Sequence, residues 1–193
     1  MVKSPLDPPS VYRLKVTLRE VRPPVWRRLA VSSNITLGAL SPLLEAAMGW
    51  EGYHLHVFEI DGRRYGSADP DWDATDLDER RFRLGQVLSA VGSRMRWDYD
   101  FGDGWEHDVV VEAIGPPEAG VTYPRCPAGR RACPPEDCGG ASGYDELLRA
   151  LADSGDSEDA ELAAWAPPGF DPARFDPVEA TLAMHARARR RGR

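Results

Sequence analysis

Alternating apolar and polar side chains predict β-strands in the first part of the chain. Residues 12–18 place an apolar side chain at every second position, and residues 25–31 form a second run with Trp26 and β-branched residues. A period of two is typical of a strand with one buried face. Pro23 and Pro24 separate the two runs, so we expect these strands to pair as a hairpin.

Two further hairpins are predicted in the middle of the chain. In residues 54–60 two histidines, a phenylalanine and an isoleucine fall on one face, and Asp61-Gly62 supplies a turn into the next strand. Residues 95–101 and 107–111 alternate in the same way, with Gly102-Asp103-Gly104 between them. Glycine tolerates the positive φ of a tight turn, so we expect these two strands to pair antiparallel.

Helical spacing appears in the remaining apolar segments. Thr36 precedes one of them and Gly49 follows it, which predicts a helix with these residues as its caps. A later helix is predicted to begin at Pro177, with Asp176 as N-cap and Glu179 placed to complete a capping box. Two more helices are predicted at residues 144–151 and 158–165.

Two segments show no period. The stretch from Ala68 to Glu79 contains five aspartates and few apolar residues, which predicts a surface loop. Residues 115–143 are rich in proline and glycine, so contacts other than regular backbone hydrogen bonds must hold them. The whole pattern predicts an α+β fold, with a mainly antiparallel sheet built from hairpins and packed against helices. We expect one domain at residues 10–180, with flexible tails at residues 1–9 and 187–193.

Composition favours a cytoplasmic domain. Hydrophobic residues make up 42% of the 193 positions, which is enough to build one sizeable core. No run approaches the roughly 18 consecutive apolar residues of a membrane-spanning helix, so no membrane partner is expected. The first ten residues also lack the apolar stretch of a secretion signal.

The charge is unevenly distributed along the chain. Five of the last seven residues are arginines, and without them 19 basic residues stand against 31 acidic ones, a formal charge of −12. Such a body repels nucleic-acid phosphates. Nucleic-acid binding through the arginine-rich tail at residues 187–193 is therefore a disfavoured hypothesis.

The three cysteines are Cys126, Cys133 and Cys138. An odd number of cysteines in a chain of this size does not predict a disulfide scaffold. Thiolates on an irregular loop, completed by a histidine, are a candidate zinc site. Six and four residues separate these cysteines, however, whereas structural zinc sites take close pairs, so reduced thiols are favoured.

Histidines and carboxylates offer a second candidate site. His54 and His56 share a strand face that presents two imidazoles to one metal ion, although histidines in such a position also serve as ordinary hydrogen-bonding groups. Carboxylates crowd the predicted hairpin turn near His107, and oxygen-rich clusters bind divalent metals. Alternation places Asp98 and Asp100 on one face and His107 on the other, so they are not expected to meet at one ion.

Three stretches of the chain carry a family resemblance. GWEGYHLHVFEIDGRRYG, YDFGDGWEHDVVVE and CPPEDCGGASGYDELL occur in this order and resemble the plasmid-borne open-reading-frame-three-like family first described from an Ri plasmid. The likeness runs from about Val11 to Phe175. It implies a compact α+β domain with a mainly antiparallel sheet and an association with plasmids and mobile elements, and it implies no settled activity.

The resemblance also selects candidate residues. Turns explain the glycines and prolines of the shared stretches, and core packing explains the aromatic residues. The polar residues that remain form the predicted pocket: His54, His56, Asp103, Glu106, His107, Glu136 and Asp137.

Two main hypotheses follow, and they leave open whether the protein is an enzyme. The first is a binding or accessory domain, in which the glycine- and proline-rich segment packs beside the Asp103 turn and forms a pocket for a protein or a small ligand. The second is a divalent-metal-dependent hydrolase of the phosphodiester class, with Glu106, Glu136 and Asp137 as ligands and His107 as base. Both require the loop of residues 134–140 to fold against the hairpin tip.

Overall fold

The computed structural model describes residues 9–67, 76–153 and 157–191, and a single sheet runs through this part of the protein. Its strand order is β5-β4-β3-β6-β7-β1-β2-β8, and the pairs are antiparallel except for the parallel pair of β4 and β5. The strands are β1 (Val11–Leu18), β2 (Trp26–Ser32), β3 (His56–Ile60), β4 (Arg63–Gly66), β5 (Leu77–Asp78), β6 (Arg94–Tyr99), β7 (Trp105–Gly115) and β8 (Arg125–Arg130).

Helices cover one face of this sheet. They are α1 (Leu37–Met48), α2 (Leu84–Val87), α3 (Gly140–Ala152), α4 (Ser157–Trp165) and α5 (Pro177–Arg191). The sheet and helices confirm the predicted α+β class. No helix in the described ranges is both long and apolar enough to cross a membrane.

Strand alternation gives the sheet two different faces. On the covered face, apolar side chains such as Leu14 and Val109 are fully buried beneath the helices. On the open face, Arg19 pairs with Glu106 and Arg28 pairs with Glu112 across the strands. Exposed pairs of this kind contribute little to stability.

Aromatic rings fill the core where the sheet meets the end of α1. The Trp50 ring stacks on Tyr99 with centroids 4.8 Å apart, and it lies 6.1 Å from Trp105 and 5.3 Å from the ring of His107. Aromatic residues bury large areas and specify geometry, so this cluster fixes Trp50 and the chain that follows it.

The predicted caps of α1, the predicted β6–β7 turn and the predicted N-cap of α5 are confirmed. Thr36 caps α1 by accepting a hydrogen bond from Ala39 N at 3.2 Å, and Gly49 ends the helix with φ of 101°. The turn at residues 102–104 joins β6 and β7 as an antiparallel pair. Asp176 caps α5, although the Glu179 carboxylate bonds to Arg174 and does not complete a capping box.

Three long-range features differ from the predictions. Within the predicted acidic loop, residues 68–75 lie outside the described residues, but Leu77–Asp78 adds a strand beside β4 and Glu79 is buried. In the segment without a period, β8 pairs with β2 at the sheet edge, where Pro127 is tolerated. Residues 187–191 continue α5 instead of forming a tail, and Arg187 donates to the carbonyl groups of Trp50 and Glu51.

Candidate functional site

The loop of residues 134–140 packs against the tip of the β6–β7 hairpin. Gly139 N donates a hydrogen bond to Asp103 Oδ2 at 3.2 Å. At Gly140, which has φ of 69°, a Cβ would lie 2.5 Å from the carbonyl oxygen of Asp103. Only glycine permits this backbone conformation together with such a close approach. The two segments on which the predicted pocket depends are therefore in direct contact.

Buried donors anchor the same loop to the aromatic cluster. Trp50 Nε1 donates to Pro134 O at 2.9 Å, and the Tyr99 hydroxyl donates to Glu136 Oε1 at 2.5 Å. Glu51 N donates to the same carboxylate oxygen at 3.2 Å. Burial raises the pKa of Tyr99, and the Glu136 carboxylate raises it further, so the phenol keeps its proton and remains a donor. The Glu136 carboxylate is thus fixed in position.

A histidine and two aspartates converge beside this anchor. His54 Nδ1 lies 3.6 Å from Asp100 Oδ1, and His54 Nε2 lies 3.3 Å from Asp137 Oδ1. Taking one ligand atom from each residue, the three atoms lie within 4.8 Å of one another. The Asp100 side chain is buried, whereas that of Asp137 is 71% exposed. The cluster therefore opens to solvent on the side of Asp137.

Backbone geometry aims both aspartates into the cluster. Asp100 has φ of 55° and Asp137 has φ of 58°, which are left-handed conformations that aspartate tolerates better than most residues. Asp100 Oδ1 also accepts a hydrogen bond from Gly102 N at 3.0 Å, which orients its carboxylate. These three side chains offer one imidazole and two carboxylates, a donor set that binds a divalent ion or, with His54 protonated, forms an ion-pair network.

The other predicted pocket residues do not join this cluster. His56 Nε2 lies 2.7 Å from the buried Glu79 carboxylate at a separate position in the fold. Glu106 lies on the open face of the sheet, where it pairs with Arg19. Asp103 uses its carboxylate to hold the loop through Gly139.

His107 is enclosed by the core and has no exposed surface. Its Nδ1 lies 3.1 Å from the Trp97 carbonyl oxygen. Burial lowers the pKa of His107 to about 3, so the imidazole is neutral at physiological pH. The hydrolase arrangement with Glu106, Glu136 and Asp137 around a basic His107 therefore does not form, because Glu106 lies on the opposite sheet face and His107 is sealed from solvent.

The cysteines are free thiols in this structure. Cys126 and Cys133 are buried and Cys138 is half-buried. Burial raises the pKa of Cys126 to about 11 and the pKa values of Cys133 and Cys138 to about 12, so all three keep their protons at neutral pH. Within the described residues, no cluster of three metal-capable side chains includes a cysteine.

A groove of about 770 Å³ runs along the outer side of the loop. The end of α1, the loop of residues 134–137 and the connection between α4 and α5 form its walls. Asp137 belongs both to this groove and to the histidine–aspartate cluster. The loop thus borders two concave features at once.

Comparisons with known proteins agree with this architecture. The sequence profile of the plasmid pRiA4b ORF-3-like protein family matches residues 10–179. The chain belongs to this family. A similar sequence is that of the uncharacterized protein y4hQ of Sinorhizobium fredii, which is 41% identical over 157 residues, 81% of this chain and 80% of that protein. The crystal structure of MM3350, a protein of unknown function from Methanosarcina mazei Go1, is 37% identical, with a TM-score of 0.80 over 89% of this chain and 97% of that one.

Sequence reasoning did not select Asp100 or the groove residues outside the loop of residues 134–140. Strict alternation assigned Asp100 to the face opposite His107, but Asp100 lies just beyond the end of β6 and has a positive φ, so alternation does not fix the direction of its side chain. An aspartate placed immediately before a glycine-rich turn is the available signal, since such residues commonly accept hydrogen bonds from the turn. Trp165 ends a predicted helix and Phe170 lies outside every predicted element, and neither position indicated that these rings lie near the loop.

Proposed function

We propose that this ORF-3-like protein is a binding domain whose ligand is a divalent transition-metal ion held by His54, Asp100 and Asp137. The observation that carries the proposal is the convergence of these three side chains from three separate segments of the chain. Two of the segments are the hairpin tip and the loop of residues 134–140, which are joined by hydrogen bonds from Gly139 N to Asp103 and from the Tyr99 hydroxyl to Glu136, outside the cluster.

The donor set favours a transition metal over magnesium or calcium. An imidazole nitrogen with carboxylate oxygens suits Zn²⁺, Mn²⁺ or Co²⁺, whereas magnesium and calcium prefer ligands that are all oxygen. Around a tetrahedral ion with bonds of about 2.1 Å, neighbouring ligand atoms are about 3.4 Å apart. The cluster spans up to 4.8 Å, so binding draws the carboxylates inward, and the exposed Asp137 has the freedom to move.

Three protein ligands leave coordination positions open to water. Asp137 lies on the solvent side, so these positions face outward and toward the groove. An open position is typical of sites that exchange ligands, in contrast with the closed sites of purely structural zinc. This supports a role in binding or presenting an ion, and we propose that the role is an accessory one.

Cytoplasmic location is part of the same proposal. The three cysteines are free thiols in this structure, which supports a reducing compartment. The association with plasmids rests on the family name alone and is proposed for this chain on that basis.

The experiment is a metal titration of protein purified without an affinity tag and dialysed against a chelator. Isothermal calorimetry with Zn²⁺ and Mn²⁺ measures stoichiometry, and visible absorption of added Co²⁺ reports nitrogen–oxygen coordination. We expect one equivalent to bind. At a metal concentration of 100 times Kd, binding stabilises the folded state by about 2.7 kcal/mol. For a domain of this size the melting temperature should rise by about 5–10 °C.

Asp137→Asn is the decisive variant, because the side chain is exposed and asparagine tolerates the same positive φ. We expect affinity for Zn²⁺ to fall about tenfold or more while the metal-free melting temperature stays unchanged. Asp61→Asn is the matched control, since Asp61 is also exposed with positive φ and lies in the β3–β4 turn. If wild-type protein binds none of the three ions, or if Asp137→Asn binds as wild type does, the proposal fails.

A further inference from the structure

The groove beside the loop combines apolar walls with exposed rings. Pro134, Pro167, Pro168 and Phe170 line it, and Trp165 is 47% exposed at its edge. Grooves of aromatic and proline side chains are the surfaces on which extended peptide segments dock. The charges around this apolar groove indicate what kind of peptide segment it binds.

Negative charge dominates the lining. Six carboxylates face two guanidinium groups in the groove: Glu51, Glu136, Asp137, Asp171, Asp176 and Glu179 against Arg27 and Arg174. Neither arginine is available to an anionic ligand. Arg174 pairs with Glu179, and the buried Arg27 donates to backbone carbonyl groups and lies 4.3 Å from the Phe175 ring.

Backbone donors hold two of these carboxylates in place. Asp171 Oδ1 accepts a hydrogen bond from Ala173 N at 2.8 Å, and Asp176 Oδ1 accepts one from Val178 N at 2.7 Å. Hydrogen bonds to neutral amides orient a carboxylate without cancelling its charge. The groove is therefore a preorganised anionic surface next to exposed aromatic rings, and cations bind favourably over such rings.

We propose that this groove binds an extended, proline-containing segment of a partner protein that carries lysine or arginine side chains. The apolar walls take the proline rings, the carboxylates pair with the cationic groups, and Trp165 supports one of them by a cation–π contact. The sign of the charge excludes nucleic acid from this groove. The proposal does not require the metal ion, because Glu51, Asp171 and Trp165 lie outside the histidine–aspartate cluster.

The test uses fluorescence anisotropy with two labelled octapeptides, one of alternating lysine and proline and one of alternating glutamate and proline. Wild-type, metal-free protein is titrated against each peptide. We expect the lysine peptide to bind with a Kd below about 1 mM and the glutamate peptide to bind at least about tenfold more weakly. Added salt should weaken the first interaction, because exposed charges are screened.

Variants distinguish the groove from general attraction to an acidic protein. The double variant Glu51→Gln with Asp171→Asn keeps side-chain shape and the acceptor for Ala173 N, and should weaken lysine-peptide binding about fivefold or more. Trp165→Ala should weaken it by a similar factor through the lost ring contact. Asp145→Asn with Glu146→Gln removes two exposed charges from α3, outside the groove, and should change nothing.

Three results would overturn the proposal. It fails if the lysine peptide gives no anisotropy change up to about 1 mM. It also fails if the glutamate peptide binds equally well, or if the α3 variant weakens binding as much as the groove variant does. Because the protein is free of metal throughout, failure here leaves the metal proposal standing, and failure of the metal titration leaves this one standing.

Discussion

The buried His107 makes the stability of the protein depend on pH in a way that one substitution should remove. The ring has no exposed surface, with the Trp97 ring centroid at 4.5 Å and that of Trp50 at 5.3 Å. Its Nδ1 hydrogen donates to the Trp97 carbonyl, so Nε2 is the bare nitrogen, and it has no hydrogen-bond partner among the described residues. A proton added at Nε2 would place a charge inside the core, which burial disfavours more than the nearby backbone carbonyl groups favour it.

The size of the effect follows from the two pKa values of His107. Burial lowers the pKa in the folded protein to about 3 from the ordinary 6.5, so only the unfolded chain binds the proton between these values. Stability is therefore full above pH 6.5 and is lost as the pH falls, by about 1.4 kcal/mol per unit. Integrated from pH 7 to pH 5, the loss is about 2 kcal/mol.

The assay is urea unfolding of wild type and His107→Phe at intervals from pH 7 to pH 5. Phenylalanine fills the aromatic site without a titratable group, and it should lower stability at pH 7 by about 1 kcal/mol through the lost bond to the Trp97 carbonyl. Carboxylates titrate in both proteins, so the difference between the two curves isolates His107. We expect the wild-type advantage of about 1 kcal/mol at pH 7 to fall by about 2 kcal/mol and change sign, so that His107→Phe is the more stable protein at pH 5 by about 1 kcal/mol.

Parallel curves would refute this reasoning. They would mean that His107 binds its proton equally well in the folded and unfolded states, which requires water or a carboxylate to reach Nε2. His107→Gln provides a check against loss of packing, since it also lacks a titratable group and keeps an amide donor for the Trp97 carbonyl. Both variants should flatten the pH dependence by the same amount.

Three further substitutions, one of them a control, test the packing around the site by urea unfolding. Gly140→Ala should destabilise the protein by about 3 kcal/mol or more, since its Cβ would lie 2.5 Å from the Asp103 carbonyl oxygen. Gly104→Ala has a similar φ with nothing within 4 Å and should cost about 1 kcal/mol, so equal losses would contradict the close contact. Ser41→Ala should cost about 1–3 kcal/mol, because the buried Trp97 Nε1 loses its acceptor at 3.1 Å; an unchanged midpoint would contradict this.

The parts of the fold that sequence predicted are those with a local chemical cause. Thr36 and Gly49 bound α1 because a side-chain acceptor and a left-handed glycine act within one helical turn. The β6–β7 hairpin follows equally from alternation and a glycine-rich turn. β8 was missed because its edge position, which tolerates Pro127, depends on β2 nearly a hundred residues earlier in the chain.

The sequence predicted where the candidate site lies but not which residues form it. The sequence analysis predicted that the loop of residues 134–140 packs against the hairpin tip, and the contact between Gly140 and Asp103 shows that the two segments meet. Whether a residue joins the site depends on the direction of its side chain, and alternation predicts that direction only within a regular strand. Asp100 has a positive φ, so alternation does not predict the direction of its side chain. His56 contacts the buried carboxylate of Glu79, and no local sequence pattern indicates that these two residues are close.

The hydrogen bonds that hold the loop also bear on how a ligand would act. Trp50 Nε1, the Tyr99 hydroxyl and Gly139 N anchor it, and none of these donors belongs to the histidine–aspartate cluster. The loop is thus in place before any ion binds, unlike the ligand loops of small zinc domains that fold only with metal. An ion that binds therefore loses little free energy to the ordering of the loop. If the proposed ion binds, we expect a change at the exposed Asp137 to act on affinity alone, whereas a change at Gly140 moves the loop and should act on stability and affinity together.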